Sequence, residues 1–459
     1  MTSTRLKAKP VLAPEYCKGC GRCVDACAHH CIELGHEINP ATGLVPVLLH
    51  LEACTGCALC FDACPEPYGL RPEGERERPT PRVAPEPEPI PDVQLALPAS
   101  VPLVMKGTHA SAVGAILAGC RHFFGYPITP STEGAELMAR LMPRLDGVFV
   151  QAVSEVATVN LMYGCGAAGL PSLTFTSSPG FSLMLEGLSY MIGAELPGVF
   201  VDVMRGGPGL GNIAPEQSDI KLACRGLGHG NTHAIVLAPA SPQEMLDLTM
   251  LAFELAFTHR TPVVVLADGY LGQVTGKVTL PRTMVQPGIP GWAVWGDADH
   301  RRNLVSSIHL SEAELEAHNL RLIEKYARMT EAEQRAELFR CDDAEVLVVA
   351  CNTPARMAKG AVRALRAQGV RAGLFRPQTL WPFPVRLLQP LLDRARRLLV
   401  VEASHGQLED ELRLALSHAD AAHPRIESLR HYGGVLPDER EIIGAVLAGA
   451  GVAAQGVPA

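Results

Sequence analysis

The cysteines limit what this chain can fold into more than any other feature of its sequence. Nine of the fourteen cysteines lie between residues 17 and 64, and eight of these form two runs of matching spacing. The runs are Cys17-x2-Cys20-x2-Cys23-x3-Cys27 and Cys54-x2-Cys57-x2-Cys60-x3-Cys64-Pro65. Three closely spaced thiolates can wrap one 4Fe-4S cube, while the fourth cysteine of each run binds the other cube. We therefore expect this segment to fold around two iron–sulfur clusters.

The spacing is the bacterial two-cluster ferredoxin pattern, and it predicts which cysteines bind which cluster. The alternative is a pair of zinc knuckles, which is disfavoured because zinc sites use two separated cysteine pairs. Ala28 replaces the proline that usually follows the fourth cysteine, and Cys31 adds a thiol. Either Cys27 or Cys31 could bridge to the second cluster, and the spacing favours Cys27. The predicted ligands are Cys17, Cys20, Cys23 and Cys64 for one cluster, and Cys54, Cys57, Cys60 and Cys27 for the other.

Composition and charge exclude several functions. The chain has 459 residues, 19% of them charged and 47% hydrophobic, which is typical of a globular protein of two to four domains. A net charge of -8 without a Lys/Arg-rich block argues against nucleic acid or an anionic membrane as partner. The basic N-terminus has no apolar run behind it, so it is not a secretory signal. Cysteines at metal-ligand spacing are typical of a reducing cytoplasm, where we expect the protein to reside.

Changes in composition divide the chain into five predicted segments. Residues 1–70 form the two-cluster ferredoxin-like α+β domain, and residues 71–100, rich in proline and charge, form a semi-rigid linker. In residues 101–285, helices alternate with strands such as GVFVDVM and PVVVLAD, which predicts a parallel α/β sheet covered on both faces. Residues 286–340 are a connector whose polar helices begin at the capping boxes Ser311-x-x-Glu314 and Thr330-x-x-Glu333. Residues 341–459 alternate again, as a second and smaller α/β domain.

Residues 125 to 155 contain the most unusual carboxylate of the chain. They run from the turn Gly-Tyr-Pro-Ile-Thr-Pro, through a short helix and a strand, to Glu155, whose neighbours in sequence are alanines and valines. A carboxylate is costly to desolvate, so Glu155 should hold its proton or meet a specific partner. Functional residues of open parallel sheets lie at the carboxyl ends of strands, where this turn and Glu155 fall.

Two glycine-rich stretches have different interpretations. Gly164–Gly169 matches GxGxxG, but it follows a helix and precedes a strand, the reverse of a dinucleotide fingerprint, so we expect a helix C-terminal turn. Arg205-Gly-Gly-Pro-Gly-Leu-Gly-Asn212 follows the strand GVFVDVM and lacks the Lys-Ser/Thr of a P-loop. An arginine at a strand end, beside glycines that admit a ligand, suits a small carboxylate. The alternative is an arginine that pairs at the surface.

These motifs resemble the thiamine-diphosphate (pyrimidine-binding) domain of the 2-oxoacid:ferredoxin oxidoreductases, in which YPITPS is a hallmark. The resemblance implies that Tyr126, Pro127, Ile128 and Thr129 line the cofactor site and that Glu155 holds N1' of the cofactor ring. It also implies that Arg205 grips the substrate carboxylate and that Thr129 helps to orient it. The turn Thr176–Met184 is similar to the TSGPG loop of the family and implies Ser177 and Ser178 as cofactor contacts, although a plain Ser/Pro/Gly turn would look the same.

The match spans residues 101–459 and looks most like the alpha subunit of 2-oxoisovalerate:ferredoxin oxidoreductases. It implies oxidative decarboxylation of a 2-oxo acid to its acyl-CoA, with electrons passed through 4Fe-4S clusters to ferredoxin. Substrates of the 2-oxoglutarate, pyruvate or aryl branches remain alternatives, as does a non-catalytic electron-transfer subunit. The Gly-Asp-Gly that anchors diphosphate and Mg2+ in thiamine enzymes does not occur in the chain. We therefore expect a diphosphate-binding beta subunit as partner, together with a gamma subunit.

Overall fold

The computed structural model describes residues 8–66, 68–74, 87–297, 299–300 and 303–448. The chain divides into two compact units, Met1–Pro85 and Glu86–Ala459. No helix among the described residues is long and apolar enough to span a membrane.

The first unit is a small α+β fold built around the cysteine runs. A 3-10 turn at Pro14–Tyr16 precedes the first run, and Gly19 and Gly56, with φ of 64° and 65°, hold equivalent places in the two runs. A Cβ on Gly19 would lie 2.2 Å from the carbonyl oxygen of Val45, so only glycine fits there. The elements of this unit are β1 (Pro10–Leu12), α1 (Arg22–Asp25), β2 (Ile32–Leu34), β3 (Val47–Leu49), α2 (Leu59–Ala63) and β4 (Leu70–Pro72). Strand β1 pairs antiparallel with β4, and β2 pairs antiparallel with β3.

The second unit opens with an α/β domain that has a short 3-10 turn at Met142–Arg144. Its elements are β5 (Val93–Ala96), β6 (Leu103–Lys106), α3 (Gly107–Leu117), β7 (His122–Gly125), α4 (Thr132–Leu141), β8 (Val148–Gln151), α5 (Glu155–Ala167), β9 (Ser172–Thr176), α6 (Ser178–Leu183), α7 (Leu185–Gly193), β10 (Gly198–Met204), α8 (Ile220–Arg225), β11 (Ile235–Leu237), α9 (Pro242–His259), β12 (Pro262–Asp268), α10 (Gly269–Gln273), β13 (Thr275–Val278) and β14 (Thr283–Gln286).

The remaining elements form the C-terminal part of the same unit. They are α11 (Glu312–Ala332), β15 (Ala336–Phe339), β16 (Val346–Val349), α12 (Asn352–Ala367), β17 (Ala372–Pro377), β18 (Thr379–Trp381), α13 (Val385–Leu392), β19 (Arg397–Glu402), α14 (Gln407–His418), β20 (Arg425–Arg430) and α15 (Glu439–Ala448).

The main sheet has seven strands in the order β18-β11-β12-β10-β9-β7-β8. All neighbouring pairs are parallel except β11 with β18. Every residue of β9, β10 and β12 is buried, as expected of central strands covered by helices on both faces. The predicted parallel α/β fold is therefore confirmed.

The second sheet has five strands in the order β15-β17-β16-β19-β20, with β15 antiparallel at one edge. The segment after β17 leaves this sheet, because β18 pairs with β11 of the main sheet. Gln217 connects the two sheets: its side-chain Nε2 donates to the carbonyl of Cys351, and its Oε1 accepts from the backbone N–H of Ala403. Cys351 and Ala403 follow β16 and β19, so the carboxyl ends of second-sheet strands face the loop after β10.

Two details of the predicted organisation differ from the structure. Within the predicted linker, residues 93–96 form β5 and pair antiparallel with β14, while residues 75–86 lie outside the described residues. Helix α11 begins after Ser311, as the first capping box predicted, although the Ser311 side chain makes no capping hydrogen bond. The second box was wrong as a helix start, because α11 continues through Thr330 to Ala332.

Candidate active site at the carboxyl edge of the main sheet

Five adjacent parallel strands bring the predicted site residues to one edge of the main sheet. The order β12-β10-β9-β7-β8 places all five carboxyl ends side by side. The Tyr126–Ser131 turn follows β7, Glu155 follows β8, Ser177 and Ser178 follow β9, and Arg205 follows β10. Sequence reasoning thus identified loops that the fold brings together.

Glu155 is the first residue of α5 and is buried, with 4% of its surface exposed. Ser154 caps the helix, since its Oγ accepts from the backbone N–H of Ala157 at 3.2 Å. Val153 and Val156, the apolar neighbours in sequence, are 88% and 43% exposed. Glu155 is buried because it lies on the same helix face as Val159 and Met162, which pack in the core.

The Glu155 carboxylate lies close to a buried threonine hydroxyl that has no partner among the described residues. A Cβ on Gly180 would lie 2.4 Å from both Glu155 Oε1 and Thr176 Oγ1, so the two oxygens are close neighbours and Gly180 admits no side chain. Among the described residues, no donor binds the Glu155 carboxylate, and the hydroxyls of Thr176 and Ser177 have no hydrogen-bond partner. Buried polar groups are nearly always paired, so this group of oxygens fits a ligand that carries ring nitrogens and an amino group, as the thiamine pyrimidine does.

Arg205 joins two loops of the edge. Its Nη1 donates to the carbonyl of Thr129 at 2.9 Å, and its Nη2 donates to the carbonyl of Leu210 at 3.2 Å. The guanidinium group therefore lies between the Tyr126–Ser131 turn and its own glycine-rich loop, and its buried Nε has no partner among the described residues. Tyr126, Pro127 and Thr129 are exposed and Ile128 is half-buried, so this turn forms an open rim.

The glycine-rich loop after β10 is tightly folded. A Cβ on Gly206 would lie 2.4 Å from Asn212 Oδ1, and one on Gly211 would lie 1.8 Å from the carbonyl oxygen of Gly206. The Glu216 carboxylate accepts from the backbone N–H groups of Gly207 at 3.0 Å and of Gly433 at 3.2 Å. The loop that carries Arg205 is thereby fixed against the C-terminal domain.

The Ser178 hydroxyl points inward instead of into the site. Ser178 Oγ donates to Asp219 Oδ2 at 2.5 Å and accepts from the backbone N–H of Arg205 at 3.1 Å. Because its single hydrogen is directed at Asp219, Ser178 supports Arg205 where the sequence had suggested a cofactor contact. Sequence reasoning missed Asp219 and its buried neighbour Asp202, although Asp202 is the one charged residue of the strand GVFVDVM.

In the first unit, the two predicted cysteine sets line two separate small cavities. One cavity is lined by Cys17, Cys20, Cys23 and Cys64, and the other by Cys27, Cys31, Cys54, Cys57 and Cys60. Among the described residues, no three such side chains converge closely enough to bind a single metal ion. Sulfurs that surround a cavity fit a 4Fe-4S cube, in which each thiolate binds its own iron.

Cys27 and Cys31, two of the five cysteines that line the second cavity, are joined by a hydrogen bond. The backbone N–H of Cys31 donates to Cys27 Sγ at 3.2 Å, as the N–H of Val47 donates to Cys17 Sγ at 3.4 Å in the first cavity. The Cys31 thiol itself is 3% exposed and lies 3.5 Å from the carbonyl of His29. The N–H donation to Cys27 favours Cys27 as the thiolate.

Comparison with known proteins agrees with this geometry. Residues 113–290 match the family model described as pyruvate flavodoxin/ferredoxin oxidoreductase, thiamine diP-binding. Residues 344–442 match pyruvate:ferredoxin oxidoreductase core domain II, and residues 16–67 match a 4Fe-4S dicluster domain. The chain is 46% identical over 342 residues to ketoisovalerate oxidoreductase subunit VorB of Methanothermobacter thermautotrophicus, covering 74% of this chain and 96% of that subunit. The chain belongs to the 2-oxoacid:ferredoxin oxidoreductase family.

Two further relatives share less sequence identity with the chain. The 2-oxoglutarate synthase subunit KorA of the same organism is 36% identical over 373 residues, covering 75% of this chain and 97% of the KorA sequence. The solved 2-oxoglutarate:ferredoxin oxidoreductase of Magnetococcus marinus superposes with a TM-score of 0.69 at 27% identity, covering 76% of this chain and 65% of that chain. This oxidoreductase chain thus combines a thiamine-diphosphate-binding domain with a 4Fe-4S dicluster domain, as the sequence motifs predicted.

Proposed function

We propose that this chain is the alpha subunit of a heteromeric, thiamine-diphosphate-dependent 2-oxoacid:ferredoxin oxidoreductase. The reaction converts a 2-oxo acid and coenzyme A to acyl-CoA, CO2, one proton and two electrons. The observation that carries the proposal is the position of Glu155 and Arg205, a buried carboxylate and a guanidinium group at carboxyl ends of the same sheet. Coenzyme A is included because the Magnetococcus marinus relative was solved with coenzyme A bound.

Each site residue then has a defined role. Thiamine diphosphate supplies the carbon nucleophile and the electron sink that decarboxylation needs. Glu155 would bind the pyrimidine ring and hold or move a proton at its Oε1, next to Thr176, and Ser177 would contact the cofactor. Arg205 would bind the substrate carboxylate by charge-assisted hydrogen bonds, while Thr129, which its Nη1 contacts, would orient the acid. Tyr126, Pro127 and Ile128 would form the rim over the ring.

The N-terminal unit would carry the electrons away. Oxidation of the decarboxylated substrate would release two electrons, and 4Fe-4S clusters held by this unit would supply one-electron centres on the way to ferredoxin. Cys17, Cys20, Cys23 and Cys64 would hold one cluster, and Cys54, Cys57, Cys60 and Cys27 the other. Two clusters beside each other in one small unit suit this relay.

A second subunit would complete the cofactor site. The chain lacks a Gly-Asp-Gly for diphosphate and Mg2+, and the relatives it matches are named as subunits. The site edge also exposes apolar side chains, which is typical of a protein–protein interface. These side chains are Tyr126, Val153, Val156, Leu183, Leu210 and Ile213. We propose a diphosphate-binding beta subunit on this surface, and a gamma subunit elsewhere in the complex.

The preferred substrate would be a branched-chain acid such as 2-oxoisovalerate. Leu210 and Ile213, on the loop that carries Arg205, are 81% and 62% exposed and offer an apolar surface beside the guanidinium group. The 46% identity to a ketoisovalerate oxidoreductase subunit, against 36% to a 2-oxoglutarate synthase subunit, supports the same branch. An acid with a second carboxylate, such as 2-oxoglutarate, would need a further cation.

The test is an anaerobic activity assay of the assembled complex. The chain is co-expressed with the subunits encoded beside it, and coenzyme-A-dependent viologen reduction is followed with 2-oxoisovalerate, 2-oxoglutarate, pyruvate and phenylglyoxylate. Highest kcat/KM with 2-oxoisovalerate supports class and branch. If kcat/KM is highest with another acid, the chain still belongs to a 2-oxoacid oxidoreductase, but the branched-chain substrate is rejected. No reduction with any acid, from a complex that holds clusters and thiamine diphosphate, rejects the proposed function and favours a non-catalytic electron-transfer subunit.

A further inference from the structure

Behind Arg205, inside the main sheet, lies a pair of buried carboxyl groups that the reaction does not use. Asp202 is fully buried in the middle of β10, in register with Thr176 of β9 and Leu266 of β12. Asp219 is 6% exposed and immediately precedes α8. The Asp202 side chain interacts with the carboxyl group of Asp219, and both oxygens of Asp202 lack a donor among the described residues.

Two buried carboxyl groups that interact in this way favour one shared proton over two negative charges. Among the described residues, no N–H or hydroxyl group donates to either oxygen of Asp202, and neither aspartate forms an ion pair with lysine or arginine. Two ionised carboxylates would repel each other in this buried position, whereas one carboxylic acid can donate to one carboxylate. Burial, and then the Asp219 charge, hold the pKa of Asp202 well above its usual range. A proton on Asp202 would remove this repulsion and let Asp202 donate to Asp219.

Asp219, as the ionised acceptor, organises two serine hydroxyls. Its Oδ2 receives the Ser178 hydroxyl at 2.5 Å, and the Ser218 Oγ lies 3.1 Å away. Ser178 Oγ accepts from the backbone N–H of Arg205 at 3.1 Å, while Ser218 Oγ donates to the backbone carbonyl of Arg205 at 2.9 Å. Ser178 thus links the Arg205 N–H to the Asp219 carboxylate, while Ser218, whose single hydrogen goes to the Arg205 carbonyl, lies beside that carboxylate. Burial raises the pKa of Asp219, and the charge of Glu216, which fixes the glycine-rich loop, adds to this effect.

We propose that Asp202 and Asp219 share one proton and, through Ser178 and Ser218, position the Arg205 backbone so that its guanidinium group meets the substrate carboxylate. The proposal rests on the substrate role of Arg205 given above. Asp202 and Asp219 are positioning residues: the chain of contacts from the pair to the site passes through Ser178, Ser218 and Arg205. An asparagine at 202 could donate an N–H to Asp219 and keep the arrangement, whereas a leucine could not.

The experiment uses the assembled holoenzyme with Asp202→Leu, Asp202→Asn and, as a control carboxyl on α9 away from this edge, Asp247→Asn. Loss of one hydrogen bond to a charged group predicts a KM for the 2-oxo acid about tenfold higher in Asp202→Leu, with kcat changed less. Asp202→Asn should restore KM to near the wild-type value, and Asp247→Asn should leave it unchanged. Infrared difference spectra at neutral pH should show a carboxylic acid C=O band in wild type that Asp202→Asn lacks.

A further measurement separates the positioning of Arg205 from general destabilisation of the protein. Hydrogen–deuterium exchange of the peptide that contains Arg205 should be faster in Asp202→Leu and unchanged in Asp202→Asn. The proposal is overturned if both variants keep the wild-type KM, if both raise it equally, or if the acid band persists in Asp202→Asn. A wild-type complex that oxidises no 2-oxo acid rejects the proposed function instead, and the infrared and exchange measurements still decide whether the proton-sharing pair exists.

Discussion

At the scale of single residues, Glu155 is buried by helix periodicity and not by its neighbours in sequence. Val153 and Val156 face outward while Glu155 faces Gly180 and Thr176, which are distant along the chain. The sequence could predict that Glu155 and Arg205 would share an edge, because each follows a strand of a parallel sheet. It could not predict the Asp202–Asp219 contact, since Asp219 comes from a loop whose path depends on tertiary packing.

Arg205 should be sensitive to the shape of its head group. Arg205→Lys keeps the charge but cannot bridge the carbonyls of Thr129 and Leu210 and still bind a carboxylate through two N–H groups. We expect the KM for the 2-oxo acid to rise about tenfold to a hundredfold, as loss of a charge-assisted hydrogen bond predicts. Steady-state kinetics of the complex measure this, with Arg140→Lys on exposed α4 as the matched control. Unchanged kinetics in Arg205→Lys would exclude Arg205 as the carboxylate ligand.

The Asp202 carboxyl should make stability fall as pH rises. Its pKa is raised in the folded chain, by burial first and by Asp219 second, so above about pH 4 the unfolded chain loses a proton that the folded chain keeps. The free energy of unfolding then decreases by up to about 1.4 kcal/mol per pH unit until the folded-state pKa is reached. Asp202→Asn removes this contribution. The Tm of Asp202→Asn minus that of wild type should therefore become more positive as the pH rises above about 4, and a difference independent of pH would contradict the shared proton.

At the scale of elements, the central strands were the easiest to predict. GVFVDVM and PVVVLAD coincide with β10 and β12, because a run of β-branched and aromatic residues bounded by Pro and Gly fits a strand covered on both faces. The predicted turn at Gly164–Gly169 is also confirmed, since α5 ends at Ala167 and Gly169 has φ of 72°. The helix start at Thr330 failed because the apolar face of α11 continues through Met329 into the core, which outweighs a local capping signal.

The first turn of α6 gives a prediction with a control in a neighbouring helix. Gly180→Ala would place a Cβ against Glu155 Oε1 and Thr176 Oγ1, and overpacking of this kind costs about 1–3 kcal/mol. We expect thiamine diphosphate affinity and turnover of the complex each to fall about tenfold or more. Gly164→Ala in α5 meets nothing within 4 Å, so it should leave activity unchanged and stabilise the helix by up to about 1 kcal/mol. Equal effects of the two substitutions would mean that Gly180 is not part of the site.

The cysteine runs predict which thiol binds the second cluster. Cys27→Ala should remove one 4Fe-4S cluster, because Cys27 Sγ receives the Cys31 N–H and has the matching spacing. Cys31→Ala should keep both clusters, since it removes only a buried thiol and leaves that backbone N–H in place. Iron and sulfide analysis with electron paramagnetic resonance of the reduced protein measures cluster content. Loss of the second cluster in Cys31→Ala alone would reverse the assignment.

At the scale of the whole molecule, the composition and the motifs indicated two α/β domains and an iron–sulfur unit. The contact between the two sheets could not be predicted, because it depends on side chains that no motif marks. Gln217 reaches the ends of β16 and β19, and Asp268 accepts from both the backbone N–H and the hydroxyl of Thr353 at 2.8 Å. The second domain therefore supports the loops that carry the site.

The most direct test of the account is turnover of the assembled complex with Glu155→Gln. Coenzyme-A-dependent viologen reduction with the best 2-oxo acid is compared for wild type, Glu155→Gln and Glu136→Gln, the last being the same substitution at an exposed position of α4. Glu155→Gln should lower kcat by at least about a hundredfold, because an amide cannot exchange a proton with the cofactor ring, while both clusters remain reducible by dithionite. Glu136→Gln should match wild type. Full turnover by Glu155→Gln, with clusters and thiamine diphosphate bound, would contradict a catalytic role for this chain.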